Sequence, residues 1–285
     1  MKFTEFLRSL TLKQQIAFVF GAGLDKINHK LSRYEGLRMY KNLLAEIEKL
    51  GFEIKITKTE IALHKAGRKI SLRKKSSDLE VFKQVFVRDE YQPLINSVIA
   101  NNIKVETIID AGSNIGLTSV KFLDKFTKAK VICLEPDSGN FTQLRANLKK
   151  YDGRTTLLPV ALWHREEELY INAGFRDGQE WSRSVDSEKT GAPVKGTSLN
   201  TIIQQQGLKQ IDILKIDIEG SEAAIFKEEN DLSFLDITKV IALEIHDEFN
   251  CRDTIYNILL SRGFVLFNGV ELTMGVNRKL VGSLT

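Results

Sequence analysis

The sequence predicts an α/β protein: a doubly wound, mostly parallel Rossmann-like sheet with antiparallel edge strands, preceded by an N-terminal helical and β-hairpin cap. Three observations predict it. From Glu106 onward, short apolar runs of strand length alternate with helical patterns, as repeated β-α units do when helices cover both faces of a parallel sheet. Two late apolar runs are separated only by a short turn region, which suits an antiparallel edge pair. Before residue 106 the pattern is helical and then alternates with period two. The front third therefore reads as a separate lobe, with 1–105 as the cap and 106–285 as the ligand-binding domain.

The elements follow in order. Phe3, Phe6, Leu7 and Leu10 recur at helical spacing. This predicts an amphipathic first helix that packs on the body, with peripheral membrane contact as the minor alternative. Tyr34–Leu50 places Leu37, Tyr40, Leu43, Leu44 and Ile47 on one stripe, and Gly51 stops the helix. Through Val87 the period is two: Phe52, Ile54 and Ile56, then Ile61 and Leu63, then Ile70 and Leu72 after a turn at Ala66-Gly67-Arg68. Parallel strands are expected at Thr107–Ile109, Val131–Leu134, Thr156–Pro159, Ile213–Ile216 and Val240–Ile245, with helices at Leu117–Phe126, Asn140–Lys149 and Glu222–Lys227. Phe264–Phe267 and Val276–Leu280 are the edge pair. Asn172–Gly196, with four glycines and Pro193, has no period and reads as either a lid or a plain insertion.

Composition narrows the class. With 285 residues, 42% hydrophobic and 27% charged, the chain is neither collagen-like, disordered nor fibrous. Its longest apolar stretch, Ile16–Leu24, is nine residues, against the ~20 that cross a bilayer. Cys133 and Cys251 are too few for a disulfide or zinc framework, and a buried reduced thiol at Cys133 fits a cytoplasmic protein. Residues 1–105 carry 20 basic and 11 acidic side chains, and the remainder 21 and 26. The cluster Arg68, Lys69, Arg73, Lys74 and Lys75 either attracts an anionic ligand or is a solvated strand edge.

Four strand ends carry the chemistry. Asp110-Ala111-Gly112-Ser113-Asn114-Ile115-Gly116 is an acid at a strand end followed by a glycine-containing turn into a helix. Gly112 permits the turn, and Gly116 close contact of the helix with a ligand or strand. Asn114 stands where a pyrophosphate-binding loop requires glycine, so the pattern favours a ligand without phosphates. Glu135 ends the next strand, 25 residues on, where a carboxylate accepts both hydroxyls of a ribose. Asp217 ends a third strand, ahead of Glu219 and Glu222, which read as either functional or helix-start charges. Glu244 and His246, two apart at the end of a fourth, leave one face together. A histidine there suits a general base.

DAGSNIG, LEPDSGNFTQLRANL, VKGTSLNTII and LKIDIEGSE, in that order, with the lead-in Ser77–Phe86, resemble the FkbM family of S-adenosylmethionine-dependent methyltransferases. The resemblance covers roughly Ser77 to His246; Asn200 departs from it, the family having aspartate there. It implies a class I methyltransferase fold and S-adenosyl-L-methionine as cofactor. It also implies transfer to a hydroxyl of a sugar, glycoconjugate or other small natural product. Asp110, Gly112, Ser113, Asn114, Gly116, Glu135, Pro136 and Asp217 become the cofactor-binding set, with Ala161 or Leu162 beside the adenine and Trp163 supporting ring or core. His246 is the expected base, Asp217 orients it or the acceptor, and Glu244 completes the catalytic group. A divalent metal on Asp217, Glu244 and His246 is the lesser alternative, so no metal is assigned. The acceptor is a hydroxylated small molecule or glycan. RNA is disfavoured because no aromatic-interleaved basic platform appears, and a nicotinamide dehydrogenase because of Asn114.

Overall fold

The computed structural model describes residues 33–74, 76–172, 184–186 and 191–282. Phe3–Leu10 and Ile16–Leu24 lie outside them, as does Lys75. The chain divides into two compact units, Met1–Lys83 and Gln84–Thr285.

In the first unit, helix α1 (Arg33–Lys49) precedes an antiparallel meander of β1 (Glu53–Ile56), β2 (Glu60–Lys65) and β3 (Arg68–Arg73). Gly51, at φ 84°, ends the helical run. Ala66 and Gly67, at φ 49° and 71°, form the two-residue turn whose twist matches a hairpin. Leu63 pairs with Ile70 and Ile61 with Leu72, and all four are buried. The alternating pattern stops at Arg73, short of the expected Val87. Asp78 is 1% exposed and takes the Arg73 guanidinium at 2.7 Å and the Arg73 amide N–H at 2.7 Å. That bracket turns the chain into α2 (Asp78–Phe82) and a π-helical turn at Lys83–Val87. The basic cluster is occupied as well. Lys69 pairs with Glu60, Lys74 donates to the Thr57 carbonyl, and Arg68 is buried beside the Phe52 ring.

The second unit begins before the expected cap boundary at 105 and includes α3 (Gln92–Ala100). Its main sheet is formed by β4 (Thr107–Ala111), β5 (Lys130–Leu134), β6 (Thr155–Leu158), β11 (Ile211–Ile216), β12 (Thr238–Glu244), β13 (Phe264–Asn268) and β14 (Leu272–Asn277). The order is β13-β14-β12-β11-β4-β5-β6. β4, β5, β6, β11 and β12 are parallel, while β14 runs antiparallel to β12 and β13. The expected edge pair exists, but the second strand is Leu272–Asn277. Asn277 accepts from the Lys279 N–H and starts a helical turn at Arg278–Val281, over part of the predicted strand. The helices are α4 (Leu117–Lys125), α5 (Ser138–Leu148), α6 (Leu199–Gln206), α7 (Glu222–Ile225) and α8 (Arg252–Ser261). All six residues of β11 are buried, as a central strand covered on both faces requires.

A second sheet joins β7 (Val160–Leu162), β8 (Glu167–Asn172), β9 (Ser184–Asp186) and β10 (Ala192–Thr197) in the order β7-β10-β8-β9. Asn172–Gly196 was expected to lack structure, yet it supplies β9 and most of β10. The rest of it, and with it the lid expectation, falls outside the described residues. Trp163 packs against the Ala161–Leu169 cluster of this sheet and donates Nε1–H to Glu167, so it serves the core. Cys133 and Cys251 are free and buried. Among the described residues, no helix is long and apolar enough to cross a membrane.

Candidate active site

Strand order reverses between β4 and β11. The chain proceeds from β4 outward to β5 and β6, then returns to β11 and β12 on the other side. Ligands of such sheets bind over the carboxyl ends at this switch point, and the predicted residues converge there.

The β4 loop is locked from within. Gly112 and Ser113 both donate their N–H to the Leu134 carbonyl, at 3.0 and 2.9 Å, and Gly116 N–H goes to Ser113 at 2.8 Å. Asn114 N–H donates to Glu135 Oε2 at 2.8 Å. Asn114 sits at φ 49°, a left-handed conformation that asparagine tolerates, which is why glycine is not needed there. Gly112 is needed for another reason. At φ 75°, a Cβ on it would stand 1.7 Å from the Asp217 carbonyl, so the β4 and β11 loops touch backbone to backbone.

Glu135 is 5% exposed. Its second oxygen accepts the Asp137 N–H at 2.9 Å, and burial raises its carboxyl to about 7. The Asn140 side chain bonds to the same carboxylate, which stands at the strand end where a vicinal diol would be accepted. Pro136 follows, partly buried, and Asp137 caps α5 by accepting from Asn140 N–H.

Four residues of the expected cofactor set make contacts within the fold. Asp110 is 0% exposed; it accepts from Ser119 Oγ at 2.5 Å and faces Lys215 at 3.3 Å. Its carboxylate supports the loop from beneath. A Cβ at Gly116 would meet Leu144 at 2.7 Å, so that glycine lets α4 approach α5. Ser113 Oγ donates back to the Asp110 carbonyl at 2.6 Å. The Ala161 side chain is buried with Leu169 in the second sheet, and Leu162 in the main core. Asn200 donates to the Asp231 carbonyl, a structural bond.

Sequence reasoning missed Lys215. It is 2% exposed on β11, in register with Asp110. Its ammonium donates to the Gly112 carbonyl at 2.6 Å and the Ala111 carbonyl at 3.3 Å. It also lies 3.3 Å from Asp110 and 3.5 Å from Asp217. Burial lowers its pKa, but Asp217 and Asp110 outweigh that and keep it charged. A lone lysine in an otherwise apolar strand, ILKI, is the signal that could have found it.

Beyond Asp217, the chain makes a strained turn with Glu219 at φ 53° and Gly220 at φ 90°. His246 follows β12. It is 2% exposed, with Nδ1 3.1 Å from Glu222 and Nε2 3.3 Å from Glu219 and 3.8 Å from Glu244. Burial would lower its pKa, but hydrogen bonds to Glu219 and Glu222 raise it to about 11. Nδ1 also accepts the Gly220 N–H at 3.2 Å. The imidazole is thus ringed by Glu219, Glu222 and Glu244, with Glu222, 0% exposed, buried against Nδ1. Burial and Asp217 raise Glu244 above the ordinary carboxylate range. Among the described residues, no group of three His, Cys, Asp or Glu is arranged to hold a metal ion.

Residues 110–266 match the Methyltransferase FkbM domain. The chain belongs to the FkbM methyltransferase family. Methyltransferase sdnD of Sordaria araneosa is 24% identical over 65% of this chain and 81% of its own. The 31-O-demethyl-FK506 methyltransferase FkbM of Streptomyces tacrolimicus is 25% identical over 62% and 82%. The 2-O-methyltransferase NoeI of Sinorhizobium fredii is 26% identical over 54% and 65%. As an FkbM-family methyltransferase the protein uses S-adenosylmethionine. The donor set fits that molecule. The amides of Gly112, Ser113, Asn114 and Gly116 are all spent internally, leaving none of them for a pyrophosphate, while Glu135 is a carboxylate at the β5 end.

Proposed function

We propose that this S-adenosylmethionine-dependent methyltransferase methylates a hydroxyl oxygen of a sugar, glycoconjugate or other small natural product. The observation that carries the reading is the acidic mouth over β11 and β12. The charges of Asp217, Glu219 and Glu271 all act on Glu244, and those of Asp217 and Glu271 on Glu90. Carboxylates only accept hydrogen bonds when ionised and so match the hydroxyls of a polyol. They repel a phosphate backbone, which sets RNA aside as acceptor. The names of the two O-methyltransferase relatives support the same direction.

When bound, S-adenosylmethionine supplies an electrophilic methyl carbon. Glu135 would hold its ribose, the Gly112–Asn114 backbone and Pro136 would flank it, and the backbone at Ala161 would border the adenine. Lys215 would fix the Gly112 carbonyl and Asp217 together, leaving Asp217 to orient the acceptor hydroxyl. Alignment of that oxygen at near-attack distance is the principal rate factor the residues provide. A cytoplasmic location belongs to this reading, supported by two free buried cysteines.

Titration calorimetry with S-adenosylhomocysteine and with NAD, followed by transfer of tritiated methyl to a panel of glycosides and amines, tests the proposal. Binding of the first alone and labelling of glycosides are expected; labelling confined to amines would overturn it.

A further inference from the structure

Glu90 lies outside every motif of the sequence, in the stretch assigned to the cap. Its backbone is nevertheless held on both sides. A π-helical turn at Lys83–Val87 precedes it, a geometry frequent at functional sites. Asp89 sits at φ 58°. The Lys121 ammonium of α4 donates to the Val85 carbonyl at 2.7 Å and pairs with Asp89. On the other side Tyr91, 2% exposed, stacks edge-on to Phe122 with ring centres 5.4 Å apart. A Cβ on Gly269, in the β13–β14 turn, would lie 4.0 Å from the Glu90 carbonyl. The segment is thus delivered to the carboxyl edge of the sheet and fixed there.

The side chain itself is not used by the fold. Among the described residues its carboxylate makes no hydrogen bond and no ion pair, and only burial and distant charges act on it. The charges that act most strongly are Asp217, following β11, and Glu271, preceding β14; Lys215 and Lys121 follow with opposite sign. Glu271 precedes Leu272, which pairs with Glu244. The Glu90 backbone therefore lies beside the β13–β14 turn that leads into Glu271, at the edge where Glu244 ends β12.

We propose that Glu90 is the proton acceptor of the transfer, receiving the proton that the acceptor hydroxyl gives up as its oxygen takes the methyl group. The inference rests on the O-methyl reading. The O–H bond breaks, its electron pair becomes the new O–C bond, and the pair of the C–S bond leaves with sulfur. The negative charge of Glu90 and the positive charge of the sulfonium disappear together. The neighbouring candidates are engaged: His246 Nδ1 accepts the Gly220 N–H and lies 3.1 Å from Glu222, Asp217 is 3.5 Å from Lys215, and Glu244 is 3.8 Å from His246 Nε2. Burial, then Asp217 and Glu271, raise Glu90 to about 7, where a carboxylate both ionises and binds a proton near neutral pH.

Glu90→Gln and Glu90→Asp test this by three measurements. Calorimetry with S-adenosylhomocysteine should give a Kd within about threefold of the wild type for Glu90→Gln. Its Tm at pH 8.5 should equal or exceed that of the wild type, because an unpaired half-buried charge is removed. On a glycoside that the wild type methylates, kcat should fall by about 10²-fold or more with acceptor KM nearly unchanged. The rise of rate through pH 7 should vanish in Glu90→Gln and persist in Glu90→Asp. A tenfold loss of S-adenosylhomocysteine affinity would make Glu90 a cofactor contact, a lowered Tm would make it structural, and unchanged kcat would remove it from the reaction. Any of these overturns the proposal. Wild-type protein that binds S-adenosylhomocysteine yet methylates only amines overturns the O-methyl reading, and this inference with it.

Discussion

Lys215→Met removes the one buried cation beneath the β4 loop. Four oxygens lie within 3.5 Å of it: two carbonyls, of Ala111 and Gly112, and the carboxylates of Asp110 and Asp217. Asp217 has about a quarter of its side chain in solvent and can recover hydration. Asp110, at 0% exposure, cannot, and retains only the Ser119 hydroxyl. Breaking a buried pair from one side costs about 3–5 kcal/mol, because the remaining charge is left uncompensated. For a unit of this size that is a fall in Tm of roughly 6–20 °C. Adding Asp110→Asn removes the stranded charge, so the double variant should recover most of the loss. Thermal unfolding followed by circular dichroism at pH 7 measures both. A single variant within about 2 °C of the wild type, or a double variant no better than the single, would refute the account of Lys215 as an electrostatic clamp.

Two further outcomes are expected. Glu135→Gln should weaken S-adenosylhomocysteine binding by about 1.5–3 kcal/mol, the range of a hydrogen bond to a charged group, with Tm changed far less; equal affinity in calorimetry would detach Glu135 from the ribose. Stability should fall as pH rises. Glu90 and Glu135 are raised from 4.5 to about 7, Glu244 is raised, and His246 is raised from 6.5 to about 11. Each binds its proton more tightly in the folded state, so its favourable share is full below the unfolded value and is lost as pH climbs through the folded one. Between pH 6 and pH 9, Tm in a series of buffers should decline; a rising Tm would contradict these assignments.

Much of this was legible because it is local. The β4, β5, β11 and β12 runs are continuous apolar segments that only a buried strand accommodates, and the acids at their ends mark where each leaves the core. The Ala66-Gly67 turn and the Gly51 stop are set by backbone conformations that few residues adopt. The π-helical turn at Lys83–Val87 was not legible, since the Lys121 ammonium that takes its Val85 carbonyl lies more than 30 residues away.

The sequence by itself determined the strand–helix alternation, the phosphate-free loop of Asn114 and the place of Glu135, since each follows from residue type and spacing along one stretch of chain. Only the tertiary structure decided what the charged groups do. His246 meets Glu219, Glu222 and Glu244 only in the fold. Asp110 meets Lys215 and Ser119 only in the fold, and Glu90, in the stretch that reads as cap, comes to lie beside the β13–β14 turn. The protonation state of a group is set by every charge and dipole near it in space, and those neighbours come from strands far apart in the chain.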